Sequence, residues 1–172
     1  MAKPKSVNWQ MVDGSENIYE TVRDLITRYH ANTLEQLNFI IMWRYNNKMD
    51  KDGYIFINDI TKSSDKVREL YEHDVIIGIN KDIWEMLEQH ERCAVIDTLL
   101  ERITINCNKN GDPKEDDRSR ILYRLRKSEI VSHDTIYRRF NTNITHIQDR
   151  IRNKLEENLP EKGSYSEKVL QE

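Results

Sequence analysis

The residues best suited to metal chemistry lie between positions 90 and 102. His90 and Glu91 begin a pattern that matches the first half of a zinc-binding His-Glu-x-x-His helix. Such a helix needs a second histidine one turn later, so that both imidazoles face the same ion. The residue at that position is Ala94, so this stretch forms no zinc chelate. Cys93 and Cys107 have no nearby histidine pair and predict neither a zinc site nor a disulfide framework.

Two carboxylates further along the same segment offer a different set of ligands. Asp97 and Glu101 are four residues apart, so on a helix they share one face. With His133 they would supply two carboxylates and one imidazole, a possible metal site. An ion pair between Asp97 or Glu101 and an arginine is the commoner arrangement for such residues. We therefore expect no bound metal and no other cofactor.

The sequence contains no other complete set of catalytic groups. Its glycines are scattered, so no glycine-rich phosphate-binding loop is present, and no Gly-x-Ser-x-Gly nucleophile motif occurs. His133 and Asp134 stand side by side after Ser132, which is more typical of a helix start than of a catalytic triad.

Charge is distributed unevenly along the chain. The net charge of -3 combines -7 over residues 1–117 (15 basic, 22 acidic), +7 over residues 118–154 (10 basic, 3 acidic) and -3 over the last 18 residues. The basic segment predicts either a surface for an anionic partner, including nucleic acid, or simply the solvated faces of helices. The candidate anion-binding or partner-binding residues of this segment are Arg118, Arg120, Arg124, Arg126, Arg138 and Arg139.

The size and composition of the chain favour one globular domain. It has 172 residues, of which 37% are hydrophobic and 33% charged, and a mean hydropathy of -0.82. No stretch approaches the roughly 20 apolar residues of a membrane span, and the first ten residues lack the apolar segment of a secretion signal. We expect a flexible lead-in at 1–15, a single domain at 16–158 and a flexible acidic tail at 159–172.

The elements that must position these residues follow from hydrophobic periodicity and from turn signals. The strongest strand signal is residues 74–80, whose β-branched run is typical of a buried central strand. The apolar stripe of residues 144–155 would either pack on the domain or mediate self-association. Helices are predicted at 16–29, 34–43, 63–70, 81–87, 89–103, from 132 and at 144–158, and strands at 54–57, 74–80 and 118–126.

Several of these features together resemble a known family. The strand at 75–80 leads to Trp84, and Ala94 follows ten residues later. A Gly111-Asp112-Pro113-Lys114 turn, a basic strand and the His133-Asp134 helix start with Phe140 come after. This order is similar to that of the putative phage metallopeptidase family, a zincin-like group. The resemblance implies an α/β (α+β) fold, a single zincin-like domain in which several helices pack on a small twisted sheet.

When the resemblance is followed residue by residue, this chain has different residues at the positions of the family's zinc ligands and general base on the zinc helix. Counted from Trp84, the family's zinc-binding pentad falls on residues 98–102. Thr98 and Arg102 stand where the resemblance implies zinc histidines, and Leu99 stands where it implies the general-base glutamate. Glu101 lies within the pentad, and His133 is the one implied ligand that is kept. Zinc hydrolysis needs three protein ligands and a carboxylate base, so we expect a protein that is not an enzyme.

The function expected from these observations is binding. An inactivated enzyme fold in a phage protein suggests contact with a host protein in the host cytoplasm, inhibiting or redirecting a defence system or the transcription or replication machinery. Trp9, in a polar stretch, is the candidate for an exposed contact with that partner. Two alternatives stay open: a nucleic-acid-binding protein that uses residues 118–154, and a residual metal-dependent peptidase.

Overall fold

The chain forms a mixed α+β domain, which confirms the predicted fold class. The computed structural model describes residues 8–14, 16–45, 52, 54–127 and 133–157. No helix among these residues is long and apolar enough to cross a membrane. In chain order the elements are β1 Asn8–Met11, α1 Asn17–Leu25, a π-helix Ile26–His30, α2 Ala31–Leu34, β2 Phe39–Tyr45, β3 Asn58–Lys62, α3 Asp65–Tyr71, β4 Val75–Asn80, α4 Lys81–Met86, α5 Gln89–Leu100, β5 Ile103–Ile105, β6 Tyr123–Leu125, α6 His133–Phe140 and α7 Ile144–Glu157.

The larger sheet has four strands in the order β1-β2-β4-β3. β2 and β4 run parallel, whereas β1 and β3 pair antiparallel with them. The predicted strand at 74–80 is confirmed as β4, an interior strand in which Val75, Ile77 and Ile79 are fully buried. A second, two-stranded sheet of β5 and β6 follows α5.

Two predicted elements in the first half of the chain are wrong. Residues 39–43, predicted as part of a helix over 34–43, lie in β2. Their unbroken apolar run suits a strand that is paired on both edges, by β1 and β4. Residues 54–57, predicted as a strand, have no ladder partner, and β3 begins at Asn58. Instead, the carbonyls of Phe56 and Ile57 accept hydrogen bonds from Asn80.

Smaller differences concern where elements begin and end. β1, at residues 8–11, lies within the stretch predicted as a lead-in and pairs with β2. Of the strand predicted at 118–126, residues 123–125 form β6. The helix predicted at 89–103 ends at Leu100, and β5 begins at Ile103. Ser132, predicted as part of a helix start, and the predicted tail at 159–172 lie outside the described residues.

The central helix α5 is buried on almost all sides. The sequence predicts one apolar face through Cys93, Ile96 and Leu100, but every residue from Ala94 to Leu100 is buried. The sheet lies on one side of α5, since Asn58 of β3 donates to the Val95 carbonyl at 2.9 Å, and α1, α6 and α7 contact it elsewhere. This position carries polar Asp97 into the interior.

The last helix, α7, packs back on the domain. Ile147 and Ile151 are fully buried, and the Gln148 amide donates to the Ile55 carbonyl at 3.0 Å. Arg150 Nε donates to Glu91 of α5 at 2.8 Å. The apolar stripe at 144–155 is therefore directed into the core.

Candidate functional site

Four polar side chains from three separate elements meet beside α5. His30 Nε2 lies 2.7 Å from Asp97 Oδ1. The other Asp97 oxygen accepts a hydrogen bond from Arg139 Nη1 at 2.6 Å, and the same nitrogen donates to Glu101 at 2.8 Å. We call these four residues the His30 cluster. The set joins positions that are 67 and 42 residues apart in sequence.

The local conformation of the chain explains how each side chain reaches the cluster. α1 continues into a π-helix at residues 26–30, and the wider turn of a π-helix rotates the following side chains relative to an α-helix. His30, its last residue, has a side chain that is only 9% exposed. Asp97 on α5 and Glu101, the C-cap of that helix, lie one turn apart, as their spacing predicts. Arg139 reaches them from the last turn of α6.

The Arg139 guanidinium is the cationic partner of both carboxylates of the cluster. Asp97 is fully buried, and an unpaired carboxylate in such a position would be strongly unfavourable. Burial alone lowers the pKa of Arg139, but the hydrogen bonds and negative charges of Asp97 and Glu101 outweigh it and raise that pKa above its ordinary value. The Arg139 guanidinium also stacks 4.4 Å from the centre of the Tyr29 ring. The cation is thus held at one edge by the two carboxylates and on one face by the Tyr29 ring.

The cluster also has the donor set of a metal site. Within the described residues, His30, Asp97 and Glu101 are the group of three whose ligand atoms lie within 4.8 Å of one another. An imidazole and two carboxylates suit a divalent cation. The Arg139 nitrogen, however, already contacts both carboxylates, so a metal ion would have to displace it.

The positions implied as zinc ligands make other contacts. The Thr98 hydroxyl donates to the Ala94 carbonyl at 2.7 Å, and Leu99 is 2% exposed within the hydrophobic core. Arg102 Nε donates to the Arg126 carbonyl at 3.0 Å. His133 is exposed at the start of α6. Among the described contacts, no side-chain hydrogen bond or ion pair joins these residues to one another; the Arg102 backbone amide donates to the Leu99 carbonyl at 3.1 Å.

The candidate metal set Asp97, Glu101 and His133 is brought together only in part. The two carboxylates are adjacent, but the histidine beside them is His30. Sequence spacing does not predict this contact, because His30 and Asp97 are 67 residues apart. The expected ion pair of these carboxylates with an arginine is present, and it is made by Arg139.

Most of the candidate basic residues bind acidic groups of the chain itself. Arg118 pairs with Glu69, and Arg120 pairs with Asp116 at 2.7 Å. Arg126 donates to the Glu101 carbonyl and lies 3.8 Å from its carboxylate. Arg124 and Arg138 are exposed. The basic segment predicted from the sequence therefore does not form one uncompensated positive surface.

The fold and the cluster define a small α+β domain in which the central helix and its C-cap carry two carboxylates four positions apart. A family model described as "Putative phage metallopeptidase" matches residues 11–156. The match covers most of the chain, so the protein belongs to this family. No curated protein and no solved structure matches the chain.

Proposed function

We propose that this protein is a non-catalytic member of its family that acts by binding a host protein. One observation carries the proposal. The side chains at the implied zinc-helix positions, and the carboxylates of Asp97 and Glu101 beside them, contact other groups of the same chain. The host partner would be a component of a defence system or of the transcription or replication machinery, inhibited or redirected by the contact.

The first support is the chemistry of residues 98–102. A threonine hydroxyl that donates to its own helix is a poor zinc ligand. Leu99 accepts no proton, and the charge of Arg102 opposes a dication. Restoring hydrolysis would need changes at all three positions.

The second support is the set of internal contacts in the His30 cluster. A metal centre that activates water needs ligands that are free to bind and an open coordination position. Arg139 uses one oxygen of Asp97 and one of Glu101, and His30 uses the other Asp97 oxygen. These contacts favour a structural role for the cluster.

A second candidate function, a residual metal-dependent peptidase, is favoured by one observation. The ligand atoms of His30, Asp97 and Glu101 are close enough to share an ion. The nucleic-acid alternative has weaker support, because Arg118, Arg120, Arg126 and Arg139 are paired internally. Binding that falls steeply with salt would be its signature.

Metal binding and peptide hydrolysis separate the first two functions. We expect calorimetric titration with Zn²⁺ or Mn²⁺ to give no stoichiometric binding, and a fluorescent casein substrate to stay intact with added zinc. Asp97→Asn is the control, since it removes a cluster ligand. Stoichiometric metal binding or chelator-sensitive cleavage that Asp97→Asn abolishes would favour the peptidase and contradict the proposal.

The binding role has its own test. Tagged protein is produced in host cells, the co-purifying protein is identified, and the complex is rebuilt from the two purified components. We expect a stoichiometric complex that forms equally well with chelator present. If no host protein binds at stoichiometric level, the binding role is wrong.

A further inference from the structure

The outer face of the four-stranded sheet is an apolar surface that no described helix covers. Side chains alternate across a sheet, and Ile41, Trp43, Ile77 and Ile79 point to the inner face. α4 lies on that inner side, since the Trp43 and Trp84 rings are 6.1 Å apart, and so does α5. The residues of the outer face are Trp9, Met11, Ile40, Met42, Asp59, Thr61, Ile76 and Gly78, with Val67, Tyr71 and His73 along one margin.

The shape of this outer face is a shallow groove centred on Gly78. Met42, Gly78 and Asp59 are neighbours across three adjacent strands. A Cβ on Gly78 would lie 2.9 Å from the Trp9 ring and would also collide with the Asp59 carboxylate. The absence of a side chain at Gly78 therefore lets Trp9 lie against the floor, where it also meets Phe56 edge-on at 6.5 Å. The groove holds about 660 Å³.

Its composition is that of the centre of a protein interface. Aromatic residues and methionine are enriched at such centres, while charged residues are depleted. Asp59 is the one carboxylate among the residues that line the groove, although a third of the whole chain is charged. Burial raises the pKa of Asp59, against the opposing charge of Arg44.

The exposed area of the outer sheet face is close to the smallest area that a dimer interface buries on each copy. Trp9 is 44% exposed, Met11 59% and Tyr71 65%, which leaves on the order of 100–150 Å² on each aromatic side chain. With the partly exposed Ile40, Met42 and Ile76, the face offers roughly 500 Å². Complete coverage of two such faces buries about 1,000 Å², the threshold for a weak specific interface.

We propose that this outer sheet face is the contact surface between two copies of the chain. A twofold arrangement places the same apolar surface on both sides, and the single half-buried Asp59 introduces little like-charge repulsion. Met11 and Met42 have flexible side chains that adapt to an identical opposing surface. This proposal assigns Trp9 to the contact between copies, and it does not depend on the host-protein role.

Sedimentation equilibrium from roughly 1 to 200 µM tests the assignment. We expect a monomer–dimer equilibrium with a micromolar Kd, given the modest area. Met11→Glu and Tyr71→Glu alter opposite margins of the groove, and each should weaken dimerisation at least about tenfold. Leu70→Glu is the matched control: Leu70 precedes Tyr71 on α3 and is 63% exposed, but it does not line the groove.

Both variant positions are exposed, so the domain should stay folded, and equal melting temperatures at low concentration check this. A wild type that is monomeric at 200 µM would overturn the proposal, whether or not a host protein binds. A dimer that Met11→Glu weakens but Tyr71→Glu does not would indicate pairing through the β1 edge. That result, or a dimer unaffected by either variant, would also overturn it.

Discussion

Replacing Arg139 with methionine tests the role assigned to the His30 cluster. Methionine keeps much of the length of the side chain and removes the guanidinium. In the wild type this guanidinium donates to Asp97 at 2.6 Å and to Glu101 at 2.8 Å. In Arg139→Met, fully buried Asp97 keeps His30 as its remaining partner in the cluster.

The expected loss follows from the burial of the two partners. Removing one member of a fully buried ion pair costs about 3–5 kcal/mol. The Arg139 side chain is 21% exposed, and His30 still contacts Asp97, so the loss should be smaller, about 2–3 kcal/mol. For a domain of this size that lowers Tm by roughly 5–10 °C.

Urea unfolding followed by circular dichroism measures the change in the free energy of unfolding. Arg138→Met is the matched control, because Arg138 is the exposed neighbour on the same helix, and it should change stability by less than about 0.5 kcal/mol. A double-mutant cycle of Arg139→Met with Asp97→Asn should give a coupling of about 1–3 kcal/mol.

Equal stability of Arg139→Met and Arg138→Met would refute the reasoning that Arg139 compensates the buried charge of Asp97. A coupling near zero would do so as well, because it would mean that Asp97 and Arg139 act independently. Stoichiometric Zn²⁺ binding by Arg139→Met but not by the wild type would show instead that the guanidinium occupies a functional metal site.

Three further predictions concern the sheet and its connections. Gly78→Ala should destabilise the domain by about 1–3 kcal/mol because the new Cβ overlaps the Trp9 ring; unchanged urea unfolding would contradict this. Asn80→Ala should cost about 1–3 kcal/mol, since Asn80 caps α4 and donates to the Phe56 carbonyl at 3.0 Å, and Asn80→Asp should restore only the cap. Burial raises the pKa of Tyr123 to about 12, against about 10 in the unfolded chain. Between pH 10 and 12 the unfolded chain therefore loses the proton first, so the wild type should lose about 2–3 kcal/mol more than Tyr123→Phe over that range; parallel pH profiles would contradict it.

The local sequence pattern was sufficient to predict those elements whose conformation depends on neighbouring residues in the chain. The β-branched run at 75–80 forms the interior strand, and the Ser64 side chain caps α3, where a helix start was predicted. The Asp97–Glu101 spacing correctly predicted two carboxylates on one helix face. Each of these features depends on residues within a few positions of one another.

Apolar runs without a clear period were harder to interpret. Residues 39–43 satisfy both helical and strand spacing, and pairing with β1 and β4 decides between them. Residues 54–57 have strand-like composition, but Asn80, more than 20 positions away, satisfies two of their carbonyls. Tertiary contacts override local propensity in both places.

The sequence by itself determined the family and the mixed fold class, because these depend on residue identity and order. Only the tertiary structure decided which polar side chains meet beside the central helix. His30, Asp97 and Arg139 meet because a π-helix, a buried central helix and α6 converge. A buried carboxylate is stable only when a cation or hydrogen-bond donors contact it. The tertiary fold, and not the spacing in sequence, determines which residues make that contact.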